Sequence, residues 1–204
     1  MMVYVSSYQR TTIIYIYISY TLLYIYISQG YTMISYHIWD REYIIIYIQL
    51  YIMAHKQYKS ILHDLTKIMG NGELDSIQLT KMCKSTFKKE FNSVCAWSEY
   101  IPDKNKPFSI INTDNKTGEH WLGAYTEDGK NVYIYDSFAR NLKRIMRDWY
   151  ELSKNMGYKL IFVNKGKDQS DKSGNTPAQI NCGLRSYVWI YCVKLYGIKQ
   201  SSNI

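Results

Sequence analysis

Cysteine and histidine are scarce in this chain of 204 residues. There are four of each: Cys83, Cys95, Cys182 and Cys192, and His37, His55, His63 and His120. No two cysteines have C-x-x-C spacing and no H-E-x-x-H run occurs, so the sequence carries no metal-site signature. Four dispersed cysteines also exclude a dense disulfide framework, and a reducing intracellular compartment fits best. No Gly-rich phosphate loop and no RNA- or DNA-binding motif is present. Lysine is absent from the first 53 residues, which instead hold 12 of the 22 tyrosines.

That first stretch alternates Ile and Tyr, as in Ile14-Tyr15-Ile16-Tyr17-Ile18 and Tyr24-Ile25-Tyr26-Ile27. Such a pattern is β-prone and prone to aggregate. It makes a poor membrane span, because Ser19, Thr21, Ser28, Gln29 and Gly30 interrupt it before about 18 apolar residues accumulate. It also lacks the basic start and small-residue cleavage site of a signal peptide. An ATATAT repeat read in frame gives Ile-Tyr-Ile-Tyr. Residues 1–52 are therefore read as an Ile/Tyr-rich leader arising from mis-annotated upstream translation in preference to a membrane anchor, with residues 53–204 as the domain proper. No membrane association is expected for residues 53–204.

From Met53 onward the pattern is that of an α+β domain large enough to bury a core. Helices are expected at residues 57–69, with Tyr58, Ile61, Leu62, Leu65 and Ile68 inward, and at 76–89, 141–155 and from 182 onward. Gly70-Asn71-Gly72 ends the first of these. Strands are expected near 93–97, 108–113, 119–126, 131–137 and 159–164. The turn Glu127-Asp128-Gly129-Lys130 makes 119–137 a hairpin. Residues 165–181 read as a polar loop.

The formal charge is +8, and all of the excess follows residue 53, because Arg10 and Arg41 cancel Asp40 and Glu42. Lys81, Lys84, Lys88 and Lys89 share one predicted helix, and Lys143, Arg144 and Arg147 another. A solvated basic face and a nucleic-acid surface are both compatible with this clustering.

Three short runs carry chemistry: Gly118-Glu119-His120-Trp121, Tyr135-Asp136-Ser137-Phe138 and Asn181-Cys182-Gly183. Singly, each His, Asp or Cys has an ordinary structural reading. Together they supply a base, an orienting carboxylate and a nucleophile. The hairpin brings His120 at the start of one strand close to Asp136 at the end of the next. Cys182 stands before an apolar run that reads as a buried helix. A helix start is expected to lower its thiol pKa.

These runs resemble the adenovirus-type, or adenain-like, cysteine endopeptidases, which include maturation proteases of adenoviruses, asfarviruses, virophages and Polinton-type elements. The resemblance covers roughly residues 70–198. It also draws on residues 91–102, Ile110-Ile111-Asn112-Thr113-Asp114 and the run from Val132 to Arg140. Ala139 stands where related sequences often carry Gly.

The resemblance implies a papain-like fold with a central mixed or antiparallel sheet flanked by helices and the nucleophile at a helix N-terminus. It implies His120 as general base, Asp136 as orienter and Cys182 as nucleophile. An oxyanion-hole glutamine is also implied, at Gln179 by preference or at Gln169. The chemistry requires no cofactor, and DNA is compatible as an activator. The implied substrates are viral structural polyproteins or capsid precursors cut beside small residues. The implied setting is the virion and the host cell interior, in the nucleus or a cytoplasmic virus factory. Two other readings share these features. One is a protease that removes ubiquitin-like modifiers, and the other is a catalytically inactive DNA-binding virion protein.

Overall fold

Strand patterning dominates the start of the chain, and a computed structural model of the protein places strands there. It describes residues 2–8, 11–18, 21–28, 31–37, 41–114, 120–164, 166–169, 180–202 and 204. The chain divides into two compact units, Met1–Gln49 and Leu50–Ile204. In the first, β1 (Met2–Tyr8), β2 (Thr11–Ile18), β3 (Thr21–Ser28) and β4 (Tyr31–His37) form an antiparallel meander in chain order. Adjacent strands are separated by two residues, the shortest hairpin spacing.

Helix α1 (Arg41–Met69) follows, and its residues from Leu50 on belong to the second unit. Ala54 and Tyr58 are buried, and Ile61, Leu62 and Leu65 pack partly buried beside them. Ile68 departs from the expected inward stripe and is 79% exposed, because the last turn runs past the packed face. Gly70 ends the helix at φ +80°, a left-handed conformation that a side chain would oppose. Among the described residues, no helix is long and apolar enough to cross a membrane.

Helix α2 (Ser76–Phe87) opens with a capping box. The Asp75 carboxylate accepts from the Gln78 N–H at 2.7 Å, and the Asp75 N–H donates to Gln78 Oε1 at 3.0 Å. Leu79, Cys83 and Phe87, spaced by four, face the core. Lys81, Lys84, Lys88 and Lys89 all face solvent.

Five strands then build one mixed sheet in strict chain order: β5 (Phe91–Ala96), β6 (Phe108–Asn112), β7 (Trp121–Thr126), β8 (Asn131–Tyr135) and β9 (Lys159–Phe162). The β6–β7 and β7–β8 pairs are antiparallel, and the two outer pairs, β5–β6 and β8–β9, are parallel. The expected hairpin is therefore the β7–β8 pair. Its turn is held by Asp128 Oδ1, which accepts the Lys130 and Asn131 N–H groups at 2.8 and 2.7 Å. The second unit is thus α+β, with an open mixed sheet between helices.

Alternation decides which side chains face which layer. Ile111, Leu122, Ala124, Val132 and Ile134 pack with Leu142, Met146 and Trp149 on one side. Phe108, Ile110, Trp121 and Tyr135 pack with α1, α2 and α5 (Cys182–Tyr196) on the other. The helix expected at 141–155 is broken into α3 (Leu142–Ile145) and α4 (Arg147–Asn155). Met146, at φ −116° and ψ 49°, leaves the helical region and kinks the run while its side chain stays in the core. A final short helix, α6 (Ile198–Ser201), closes the chain, and Trp189 Nε1 donates to the Ser201 carbonyl at 2.9 Å.

Helix α5 lies directly on β7 because Gly123 has no side chain. A Cβ there would stand 2.8 Å from Trp189 Cε3 and 3.2 Å from the Ser186 carbonyl oxygen. Both neighbours are fully buried, so neither has room to retreat. Gly123→Ala is expected to cost about 2 kcal/mol or more, lowering Tm by about 5 °C or more. Gly72→Ala, with nothing within 4 Å, should shift stability by less than about 0.5 kcal/mol. Thermal melts of the two variants check this, and equal melts would refute the tight α5–β7 contact.

Candidate active site

The β7–β8 register brings two titratable side chains to one end of the sheet. His120 immediately precedes β7, and Asp136 immediately follows β8, each one residue outside its strand. The Thr113 N–H donates to the His120 carbonyl at 2.9 Å and extends the β6–β7 ladder to that residue. His120 Nε2 and Asp136 Oδ1 are then 2.7 Å apart, with both residues 3% exposed. Gly118 and Glu119 lie outside the described residues.

The Asp136 carboxylate is heavily solvated by protein. Oδ1 also accepts the Phe138 N–H at 3.0 Å, and Oδ2 accepts the Arg140 N–H at 3.2 Å and Arg140 Nε at 2.9 Å. Burial alone would raise its pKa, but His120 and Arg140 together hold it down at about 2. Asp136 is therefore an anion and can only accept. That fixes the tautomer: Nε2 carries the proton and donates it to Asp136, and Nδ1 bears the lone pair. Burial lowers the His120 pKa. Asp136 opposes that shift, and the Arg140 charge adds to it. The imidazole is therefore neutral at neutral pH, as a base must be. The Phe138 ring lies 5.0 Å from it, centroid to centroid, and closes one face.

A tight corner holds this geometry. The Ala139 N–H donates to the Asp136 carbonyl at 2.8 Å, and Ala139 sits at φ +49°. This left-handed conformation explains why Gly suits the position. Asn164 clamps the other side, accepting the Asp136 N–H at 3.0 Å and donating to the Asp136 carbonyl.

Cys182 is the first residue of α5 and is 4% exposed. Its thiol lies against the backbone N–H groups of Trp121, the residue after His120, and of Gly183. Ser186 Oγ donates to the Trp121 carbonyl at 3.0 Å, which locks the first turn of α5 onto the start of β7. Among the described contacts no hydrogen bond joins Sγ to the imidazole. The expected lowering of the thiol pKa is not met. Burial pushes it up, and the N–H groups of Trp121 and Gly183 offset this only in part. The pair in this state is a neutral thiol and a neutral imidazole.

Gln179 lies outside the described residues. Gln169 is buried, its N–H donates to the Ser137 carbonyl at 2.9 Å, and Ser137 Oγ donates to its Oε1 at 2.7 Å. The residue beside it, Asp168, ties the same segment to α5. The Asp168 carboxylate accepts from Tyr58, Tyr135 and Arg185, and its carbonyl accepts Arg185 Nη1 at 2.7 Å. Arg185 Nε also donates to Asn181 Oδ1 at 2.8 Å. Gln169 thus sits in a segment fastened both to the Asp136–Ser137 corner and to the first turn of α5.

Two further residues, Arg140 and Arg185, border the site. Arg140 shares the Asp136 carboxylate with His120, and Arg185 is buried one turn after Cys182. The motif Asp136-x-x-x-Arg140 was the available signal for the first. The second pairs with Asp168, 17 residues away, and had none.

A pH consequence follows from Arg140. Arg140→Gln removes a positive charge that lowers the His120 pKa and leaves Asp136 to face the imidazole alone. The His120 pKa then rises. If neutral His120 is the base, the acid limb of a kcat/KM profile moves to higher pH. An unmoved limb would mean that His120 does not control it.

Among the described residues, no group of three His, Cys, Asp or Glu side chains is placed to hold a metal ion. No protein-family model, no curated protein and no solved structure matches this chain, so the likeness to adenovirus-type endopeptidases rests on the motif residues alone.

Proposed function

We propose that this protein is a cysteine endopeptidase of the adenovirus type that matures viral structural precursors. The observation that carries this reading is the buried His120–Asp136 hydrogen bond, set beside a cysteine that opens a helix against the neighbouring backbone N–H. A purely structural role explains a buried His–Asp pair. It does not explain why a free thiol shares that corner of the sheet.

In the proposed reaction the Cys182 S–H proton passes to His120 Nδ1 as Sγ bonds to the substrate carbonyl carbon. The carbonyl oxygen becomes an oxyanion, held by the Cys182 N–H and a glutamine amide. The C–N bond then breaks, and the proton on His120 goes to the leaving amine. Water, deprotonated by His120, releases the acid from the thioester and restores the thiol. Because the resting pair is neutral, thiolate forms during attack and not before it. Asp136 stabilises the imidazolium in between.

The exposed lysines of α2 and the basic residues Lys143, Arg144 and Arg147 support DNA as an activator. The test is cleavage of co-expressed capsid precursors, with and without DNA. Cleavage beside small residues is expected. DNA should raise the rate at low salt, and the effect should fade as salt rises. Failure on capsid precursors with turnover of Gly-Gly-tailed modifiers would instead favour the deconjugating reading.

A further inference from the structure

Beside Asn181 a concave cleft of about 530 Å³ opens between α1 and the start of α5. None of the proposed catalytic side chains lines it. One wall is a face of α1 that carries Lys59, Leu62 and Lys67. The floor holds Asn71, Asp168 and Asn181. The Asp168 charge is already offset by Arg185. Lys59 and Lys67 are exposed and make no ion pair among the described residues. The cleft therefore has two unneutralised cations, an apolar centre at Leu62, and amide groups at Asn71 and Asn181.

The spacing selects a ligand. Eight helical residues separate the two lysines, which is about 12 Å along α1. An extended peptide rises about 3.3 Å per residue and presents like-facing side chains at even intervals. Two carboxylates four residues apart, about 13 Å, match the two ammonium groups. An apolar residue midway meets Leu62, and the exposed Asn71 side-chain amide can pair with its main chain. The volume is that of an ordinary ligand site. A DNA duplex presents its phosphates on a convex surface that does not enter a cleft of this size.

We infer that this cleft binds an extended acidic peptide segment with carboxylates at positions i and i+4. Resting on the protease reading, that segment is the part of the substrate flanking the cut bond, because Asn181 joins the cleft to Cys182. The cleft then contributes affinity and selects acidic flanks, and the chemistry is done elsewhere.

Binding tests this without requiring turnover. The probe is a fluorescein-labelled peptide of Gly, Ala and Ser with Asp at i and i+4 and Leu at i+2. It is titrated by anisotropy at low salt against the full chain carrying Cys182→Ala. Lys59→Glu/Lys67→Glu should weaken binding about 10- to 100-fold, and a probe with Lys in place of Asp should prefer that variant. The charge-matched Lys104→Glu/Lys106→Glu control should stay within about two-fold. Absence of binding, or equal loss in both double variants, overturns the inference. So does a 12-base-pair duplex that binds through Lys59 and Lys67 when the peptide does not. If the peptide binds as expected but the unsubstituted chain cleaves nothing, the cleft stands and the protease reading falls.

Discussion

Cys182→Ala should lower kcat/KM for peptide cleavage by about 10,000-fold or more, because deleting a nucleophile removes the covalent route altogether. The fold should persist, since the change is a single sulfur atom in a site with no bond to lose beyond the N–H contacts of Trp121 and Gly183. His120→Ala should fall to a similar floor, and combining the two should cost little more, as expected of groups that act as one unit. Asp136→Asn is informative in a different way. Its amide would keep the corner's shape but could donate to Nε2, reversing the tautomer and placing the proton on Nδ1, where the base must be bare. A loss of about 1,000- to 10,000-fold in kcat with little change in KM is expected. Retention of near-normal cleavage by Cys182→Ala would end the thiol-protease reading. Iodoacetamide labelling gives a second readout. Burial pushes the Cys83 and Cys192 thiols up to about 12 and raises that of Cys95 as well, so Cys182, with two N–H groups at its sulfur, should label before all three.

Gln169→Ala should lower kcat about 100- to 1,000-fold, the usual loss for one oxyanion-hole donor, with KM almost unchanged. Sequence spacing favoured Gln179, only three residues before Cys182. Gln179 lies outside the described residues, and Gln169 is the alternative that can be placed. Ser137 Oγ holds its amide oxygen, which fixes the orientation of the group, and Asp168 beside it is fastened to Arg185 on α5. Gln179→Ala should then remain within a few-fold of the unsubstituted protein. The opposite pattern would return the role to Gln179. Two mild effects would leave the hole to backbone N–H groups.

Local patterns made the centre of the domain legible. Alternation around Asp128-Gly129 located the β7–β8 hairpin, and with it the approach of His120 to Asp136. The continuous apolar run at 187–193 announced a helix buried nearly all round. Positions governed by distant partners were not legible. Nothing near Tyr58 in sequence points to Asp168, 110 residues later, and nothing local marks Arg185 as its counter-ion. The unbroken spacing of Leu142, Ile145, Met146, Trp149 and Leu152 suggested one helix. The chain breaks at Met146 because core packing overrides a weak local preference. Likewise the Tyr-Ile run at 43–48 reads as strand by composition, yet it lies within α1. The thiol pKa went the wrong way because a helix-start dipole is a local feature, whereas burial depends on the whole fold.

The five-stranded sheet is laid down in the order in which it is synthesised, and this gives the site a history. Each strand of the sheet pairs with the one made just before it, so the imidazole and its carboxylate can meet as soon as β8 emerges. The thiol is still 46 residues away (136 to 182). At about 5–20 residues per second, that is a delay of a few seconds. The sulfur reaches its place only when the last long helix settles over Gly123 and Trp121, a step that also needs the C-terminal turn to receive Trp189. On the proposed protease reading, a nascent chain carries its base without its nucleophile, and the order of assembly rather than any inhibitor keeps an unfinished copy from cleaving peptide bonds.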